Sequence, residues 1–332
     1  VPGAKVSAVD FKVQPVGSGT AGTAPSVGKL LRACGYRERV EATANVLYHP
    51  FDPVQNSDDH ESVTIKIYQA GLVHVLTGCR GTFQFGMEVG QMPHMDFHFE
   101  GISFTYTDLP FPTSGMAFDT LNPPVCLATG CALEAASLNI PSVTLDMAQE
   151  LTRILSLNSQ TGTTEIYISG RMGQATLEPA ASLVLDAPNL YTKWAAGSKL
   201  ALTATIGATA GNIISVACPN LVQTALGFGE RDGLLTNTIT ARMTGPINSV
   251  SGTATGGTTT SLVDTTGMPV TSDHQYDGCV LQFVSGATTH YRIISNSVAA
   301  TDTLSFTPAV TSAPTAGDAY TIHKWEFAID FR

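Results

Sequence analysis

Apolar residues recur at every second position along much of this chain, and that period confines it to half-buried β-strands more tightly than any other feature. "VTIKIYQ" places Val63, Ile65 and Ile67 on one face and Thr64, Lys66 and Tyr68 on the other. "MDFHFEG" points Met95, Phe97 and Phe99 inward and Asp96, His98 and Glu100 outward. One-sided alternation of this kind belongs to antiparallel sheets with one wet face. Ala70-Gly71 supplies a tight turn, so "VTIKIYQ" is expected to close a hairpin with "LVHVLTG".

At roughly 150 residues per domain, the length implies two domains, or one duplicated core with an insertion. Residues 1–27, with the unpatterned "VQPVGSGTAGTAPSVG", read as a flexible N-terminal arm. Ser26 is expected to cap a short helix through "VGKLLRACG" that stops at Gly35. A first strand-rich half covers residues 28–108, a Pro/Gly-rich linker residues 109–130 and a second half residues 131–245. In both halves a strand leads into a long polar loop, His49 to Ser62 in one and Met147 to Gly162 in the other. A strand, a Gly/Arg turn (Arg80 between Cys79 and Gly81, and "SGRMGQ"), a strand and a final strand ending in Gly101 or Gly207 follow. This shared order implies an internal duplication.

Near Gly245 the composition turns Thr/Ser/Gly-rich, with short strands at turn-separated intervals, which marks an inserted small all-β module over residues 246–324. "WEFAIDFR", residues 325–332, alternates Trp325, Phe327, Ile329 and Phe331 like a core strand. It is expected to return to the main domain as the hairpin partner of "LLTNTITARM".

Charged residues are only 13% of the chain, about half the usual share, so its surface must be covered by small polar residues or by other copies of itself. A net charge of −10 argues against holding nucleic acid, which requires clustered Lys and Arg. The six cysteines have no zinc spacing and are too sparse for a disulfide framework, so free thiols in a reducing compartment are expected. The start "VPGAKVSAVDFKV" has no charged segment leading into an apolar one, so no secretory signal is expected. No apolar run approaches the roughly 20 residues of a membrane span.

Motifs for chemistry are weak throughout. "SDDHES" (Ser57 to Ser62) is expected to be a solvated turn, since consecutive loop residues point apart and no further ligands stand at metal spacing. His94, Asp96 and His98 share one strand face, where a metal is geometrically allowed, but a zinc site needs further ligands and a polar strand face or subunit contact is the favoured reading. "GFGERDG" does not open a helix after a strand and is no phosphate fingerprint, and no G-x-S-x-G elbow exists.

Taken together, "LLRACGYRE", "NVLYHPF", "ESVTIKIYQAGLVHVLTGCRGTFQFGMEVGQMPHMDFHFEG" and "LNIPSVTLDMAQ…TTEIYISGRMGQATLEP…WAAGSKLALTATIG" resemble the phage tail tube proteins, the major tail proteins of long-tailed phages. The resemblance covers about residues 28–245 and the final strand. It implies a mainly β, tail-tube-type β-sandwich or barrel-forming domain, here duplicated, with short flanking helices and the inserted module on its outer surface. Inner sheets would join between subunits into a barrel, and rings would stack into a tube that conducts DNA. It implies no enzyme activity, cofactor or metal.

Because each tube domain fills one sixth of a ring, the duplication favours a trimeric pseudo-hexamer over a hexamer. Further implied partners are tail terminator and tail tip proteins, a tape measure protein in the lumen and, transiently, phage DNA, with no membrane. The virion tail, assembled in host cytoplasm, is the implied location. Lumen-facing candidates are Asp96, Glu100, Asp146, Glu165 and Asp330, with Lys66 as a contrary charge; an acidic wall would let phosphates slide. Ring-stacking candidates lie in the two long loops: Asp52, Asp58, Asp59, His60, Gln149, Glu150, Arg153 and Asn158. The rival reading is a β-sandwich adhesin whose insert binds glycans; a hydrolase reading rests on no motif.

Overall fold

The computed structural model describes residues 7–50, 60–115, 119–134, 136–181, 188–245, 249–268, 270 and 273–332. The first half comprises β1 (Ser7–Val13), α1 (Gly28–Ala33), β2 (Tyr36–Glu41), β3 (Asn45–Pro50), β4 (Val63–Gln69), β5 (Leu72–Glu88), β6 (His94–Gly101) and β7 (Ser103–Asp108). After the connection come β8 (Ala132–Leu133), β9 (Ser142–Asp146), β10 (Gln149–Leu155), β11 (Thr163–Arg171) and β12 (Gln174–Leu177). Then follow α2 (Leu190–Ala195), β13 (Lys199–Ile206), β14 (Ile214–Arg231) and β15 (Leu234–Met243). The module holds β16 (Val250–Thr253), β17 (Gly256–Thr258), β18 (Ser261–Val263), β19 (Val280–Ser285), β20 (Thr288–Val298), β21 (Thr303–Phe306) and β22 (Ala319–His323), and β23 (Ala328–Phe331) ends the chain.

The main body is one 14-stranded sheet whose path runs β1-β6-β5-β9-β12-β15-β14-β23-β3-β2, with β4, β7, β8 and β13 attached beside it. The path turns at β14, whose first part pairs with β13 and β23 and whose remainder pairs with β15 alone. The sheet thereby folds over a single core. Tyr36, Tyr48, Phe83, Phe85, Phe97, Leu145, Leu177, Leu202, Val216, Ile239, Phe327 and Ile329 belong to one cluster drawn from both halves and from the last strand. The rings of Tyr36 and Phe83 (5.3 Å) and of Tyr36 and Phe327 (5.9 Å) meet edge-on across it. The halves therefore interleave in one sheet around a shared core.

The arm is a strand over Ser7–Val13: it pairs with β6 along its whole length, and Phe11 stacks on Phe97 and Phe99. Ser26 does not cap α1; its hydroxyl donates to Asp119 Oδ2 (2.6 Å), and the N-cap position is Val27. The long loop from Met147 to Gly162 contains a strand, β10 over Gln149–Leu155, paired with β11. "WEFAIDFR" returns to the body between β14 and β3 rather than beside β15.

Arg80, expected in a turn, lies inside the 17-residue β5. Gly78, with φ +61°, bends this strand so that its first part pairs with β4 and β7 and its second with β6 and β9. At Gly81 a Cβ would stand 2.4 Å from the His98 carbonyl oxygen, so only glycine lets the strands approach there. The Ala70-Gly71 hairpin turn is as expected, both residues having positive φ.

The module forms a separate seven-stranded sheet in the order β16-β22-β19-β20-β21-β18-β17, with its own core around Leu281, Phe283, Ile294, Phe306 and Ile322. It sits on the body through Leu47, Ala217, Val280, Ile293 and Ala328. Trp325, at the return point, lies flat between His49 (3.5 Å) and His323 (4.4 Å). Burial pushes the His49 imidazole down to about 3, so this ring stacks as a neutral group. All six cysteines are free.

Candidate functional site: a polar sheet face

Strand pairing converts the alternation into a surface. The registers of β1, β6, β5, β9, β12 and β15 set Lys12, Asp96, Gln84, Asp146, Gln174 and Arg242 side by side in one row. A neighbouring row runs His94, Gly86, Thr144, Thr176, Thr240, and Asp10, His98 and Thr82 lie on the other flank. Residues one position along, such as Phe97, Phe85, Leu145, Ala175 and Ala241, point into the core. One side of six strands is thus dry and the other polar.

Several charges on this face are paired. Lys12 Nζ lies 3.2 Å from Asp96 Oδ1, His98 Nδ1 2.6 Å from Asp10 Oδ1, and Arg153 Nε donates to Glu100 Oε2 at 2.7 Å. Asp10, Lys12, Thr82, Gln84, Asp96, His98 and Asp146 line a shallow depression. Among the described residues, no group of three or more His, Cys, Asp or Glu could hold a metal ion. The face presents solvated formal charges among neutral polar side chains.

Of the residues singled out in the sequence, Asp96, Glu100 and Asp146 come together on this face. Glu165 does not: it accepts from Arg80 Nη1 at 2.6 Å. Arg80 is 6% exposed and also donates to the carbonyls of Ile166 and His60, so it ties β11 and the segment before β4 to the bend in β5. Lys66 is exposed on β4, away from the main sheet path.

Asp330 is 0% exposed, which overturns a solvent-facing role; all four residues of β23 are buried, and the strand runs between β14 and β3. Its carboxylate accepts from Asn45 Nδ2 (2.7 Å), and burial pushes it up to about 6 against the pull of Arg332 and Asn45.

Asp52, Asp58 and Asp59 lie outside the described residues. His60 is half-buried, its ring stacked on Tyr167. Gln149 is buried and donates to the Cys34 carbonyl, and Arg153 is drawn to Glu100, so neither is a loop residue. Glu150 is exposed on β10, and Asn158 is exposed in the turn between β10 and β11. Sequence reading missed Asp10, Lys12, Gln84, Gln174 and Arg242. The alternation of "SAVDFKV" held the signal for the first two.

No helix among the described residues is long and apolar enough to cross a membrane. A family model described as phage tail tube protein matches residues 10–243, from within β1 to the end of β15, leaving the module outside the match. No curated protein matches the chain.

Proposed function

Given that the chain belongs to the phage tail tube protein family, as a structural component of the virion tail, we propose that its polar sheet face lines the lumen of a tube built from stacked rings. The single observation that carries this reading is the uninterrupted polar row from Lys12 to Arg242 on a sheet whose other side is core. A wall of paired charges and threonines offers DNA no cluster of Lys or Arg, so phosphates are not trapped by counterion release and the duplex slides.

Sheet geometry favours the trimeric ring. Counting the far part of β14, each copy brings seven strands to this face. With strands about 4.8 Å apart and tilted by about 40°, three copies close a barrel about 40 Å across between backbones. Six copies would double that width, far beyond what one duplex requires.

Ring stacking falls to the ends of the strands. Because Gln174 pairs with Arg242 and Leu177 with Ile239, the β10–β11 hairpin and the tip of β14–β15 lie at opposite ends of the sheet. Exposed apolar side chains occupy both: Leu155 and Leu157 at one, Leu234 and Leu235 at the other. Two different patches at opposite ends suit head-to-tail contacts, which generate open filaments. The module decorates the outside, and terminator, tip and tape measure proteins are the further partners of such a tube.

Negative-stain electron microscopy of the concentrated protein tests the reading. Rings or tubes with a central hole, with three chains per ring by mass, are expected; isolated particles that persist in the presence of preformed tail tips would overturn it.

A further inference from the structure

The geometry points to β1 of one copy and the far part of β14 of the next as the two strands that pair, in parallel, to close the ring; this rests on the tube reading above. Both are free edges of the polar-faced sheet. β1 pairs only with β6, and beyond Val222 the strand β14 pairs only with β15. Among the described residues, no backbone hydrogen bond reaches the outer side of either edge. Exposed rows of N–H and C=O groups are templates for strand addition, and native proteins cover, break or pair them.

The two edges match in length and in face. β1 offers seven residues, and residues 224–231 of β14 offer a similar stretch. On the core side β1 carries Val9, Phe11 and Val13, each only partly buried and packed at the margin of the core. On the same side β14 carries Leu226, also at the core margin, and Phe228, which is 67% exposed. On the polar side β1 has Ala8, Asp10 and Lys12, while β14 has Ala225, Gly227 and Gly229, opposite Thr240, Thr238 and Thr236, and Arg231 at its end. Joining the edges extends the apolar layer over Phe11 and Phe228 and continues the polar wall, and the small Ala225, Gly227 and Gly229 leave room there for the side chains of β1.

Strand direction follows from counting. Every pairing from β1 through β6, β5, β9, β12 and β15 to β14 is antiparallel, so β1 and β14 run the same way. Rotation about the tube axis preserves that direction, and the seam is parallel. A parallel ladder is slightly weaker per residue than an antiparallel one, which makes the seam the place where the ring opens.

The test is disulfide cross-linking of assembled tubes. Asp10→Cys or Ala8→Cys is combined in one chain with Ala225→Cys or Gly227→Cys, where an added side chain meets nothing closer than 3.9 Å. The single variants report the background from native thiols. At least one pairing is expected to give a ladder of linked chains on non-reducing gels that ends at the number of chains in a ring. Amide exchange on the unmodified protein needs no variant: residues 8–13 and 224–231 are expected to slow at least tenfold on assembly. If tubes form yet no pairing cross-links and neither strand gains protection, the seam is wrong and the tube reading stands. If no rings or tubes form at all, the tube reading itself fails.

Discussion

On the polar face, Lys12 and Asp96 meet at 3.2 Å with 60% and 39% of their side chains exposed; at the module seat, Arg292 and Glu41 meet at 2.5 Å with 0% and 14% exposed. Similar charges perform different work in these two places. An exposed pair is solvated before and after it forms and contributes about 0–1 kcal/mol, so the face can change its charge at little cost in stability. At the seat, Glu41 receives both Arg292 Nη atoms and lies 2.9 Å from His290 Nδ1, while Asn45 bridges Arg292 to Asp330. Removing one member of that set strands a buried charge. The seat fixes how the module stands on the body, and the face leaves stability almost untouched.

The largest expected effect is therefore at the seat. Glu41→Ala should lower stability by about 3–5 kcal/mol in denaturant unfolding, because Arg292 loses its bidentate partner in a dry site. Replacing both with apolar residues, Glu41→Leu with Arg292→Met, should recover most of the loss. If Glu41→Ala costs no more than Asp96→Ala, the contrast between the two regions collapses.

Arg80 is intermediate, buried but within the body. Arg80→Met should cost about 3 kcal/mol by leaving Glu165 and the carbonyls of His60, Glu61 and Ile166 without this donor. Amide exchange in β10 and β11 should rise before global unfolding does. Uniform exchange across the body would show that Arg80 does not anchor the hairpin.

Asp330 sharpens the comparison through pH. Its folded value, about 6, lies above the ordinary carboxylate value of about 3.9. The folded state therefore holds this proton more tightly, and the associated stability is complete below about pH 4 and lost as pH rises through about 6. The span is about 3 kcal/mol. Subtracting the profile of Asp330→Asn from that of the unmodified chain should reveal a fall over this window; a flat difference would contradict the burial account.

The smallest stability effect belongs to the face. Asp96→Asn with Asp146→Asn should shift stability by less than about 0.5 kcal/mol. Asp96→Lys with Asp146→Lys should instead make assembled tubes retain duplex DNA at low salt and release it as salt rises.

Legibility in the sequence followed the same divide. β6 could be read residue by residue because core lies on one side and water on the other. β23 could not: Ala328, Ile329, Asp330 and Phe331 are all buried, so alternation carries no information about which residue meets solvent. The first part of β14, Ile214 to Leu221, is buried on both faces for the same reason. "QELTRIL" passed for a loop because its apolar residues do not alternate; long-range bonds from Gln149 to Cys34 and from Arg153 to Glu100 hold it in place. The role of Arg80 depends on partners about 20 and 85 residues away in the chain, beyond the reach of any local pattern.

The central claim is that the row from Lys12 to Arg242 faces a channel. Electron cryomicroscopy of the assembled protein, at a resolution that traces strands, tests it most directly. The account predicts a ring of three chains whose inner wall carries Lys12, Asp96, Asp146 and Arg242, with the module outside. A polymer in which that row faces outward, or is buried between rings, would contradict it.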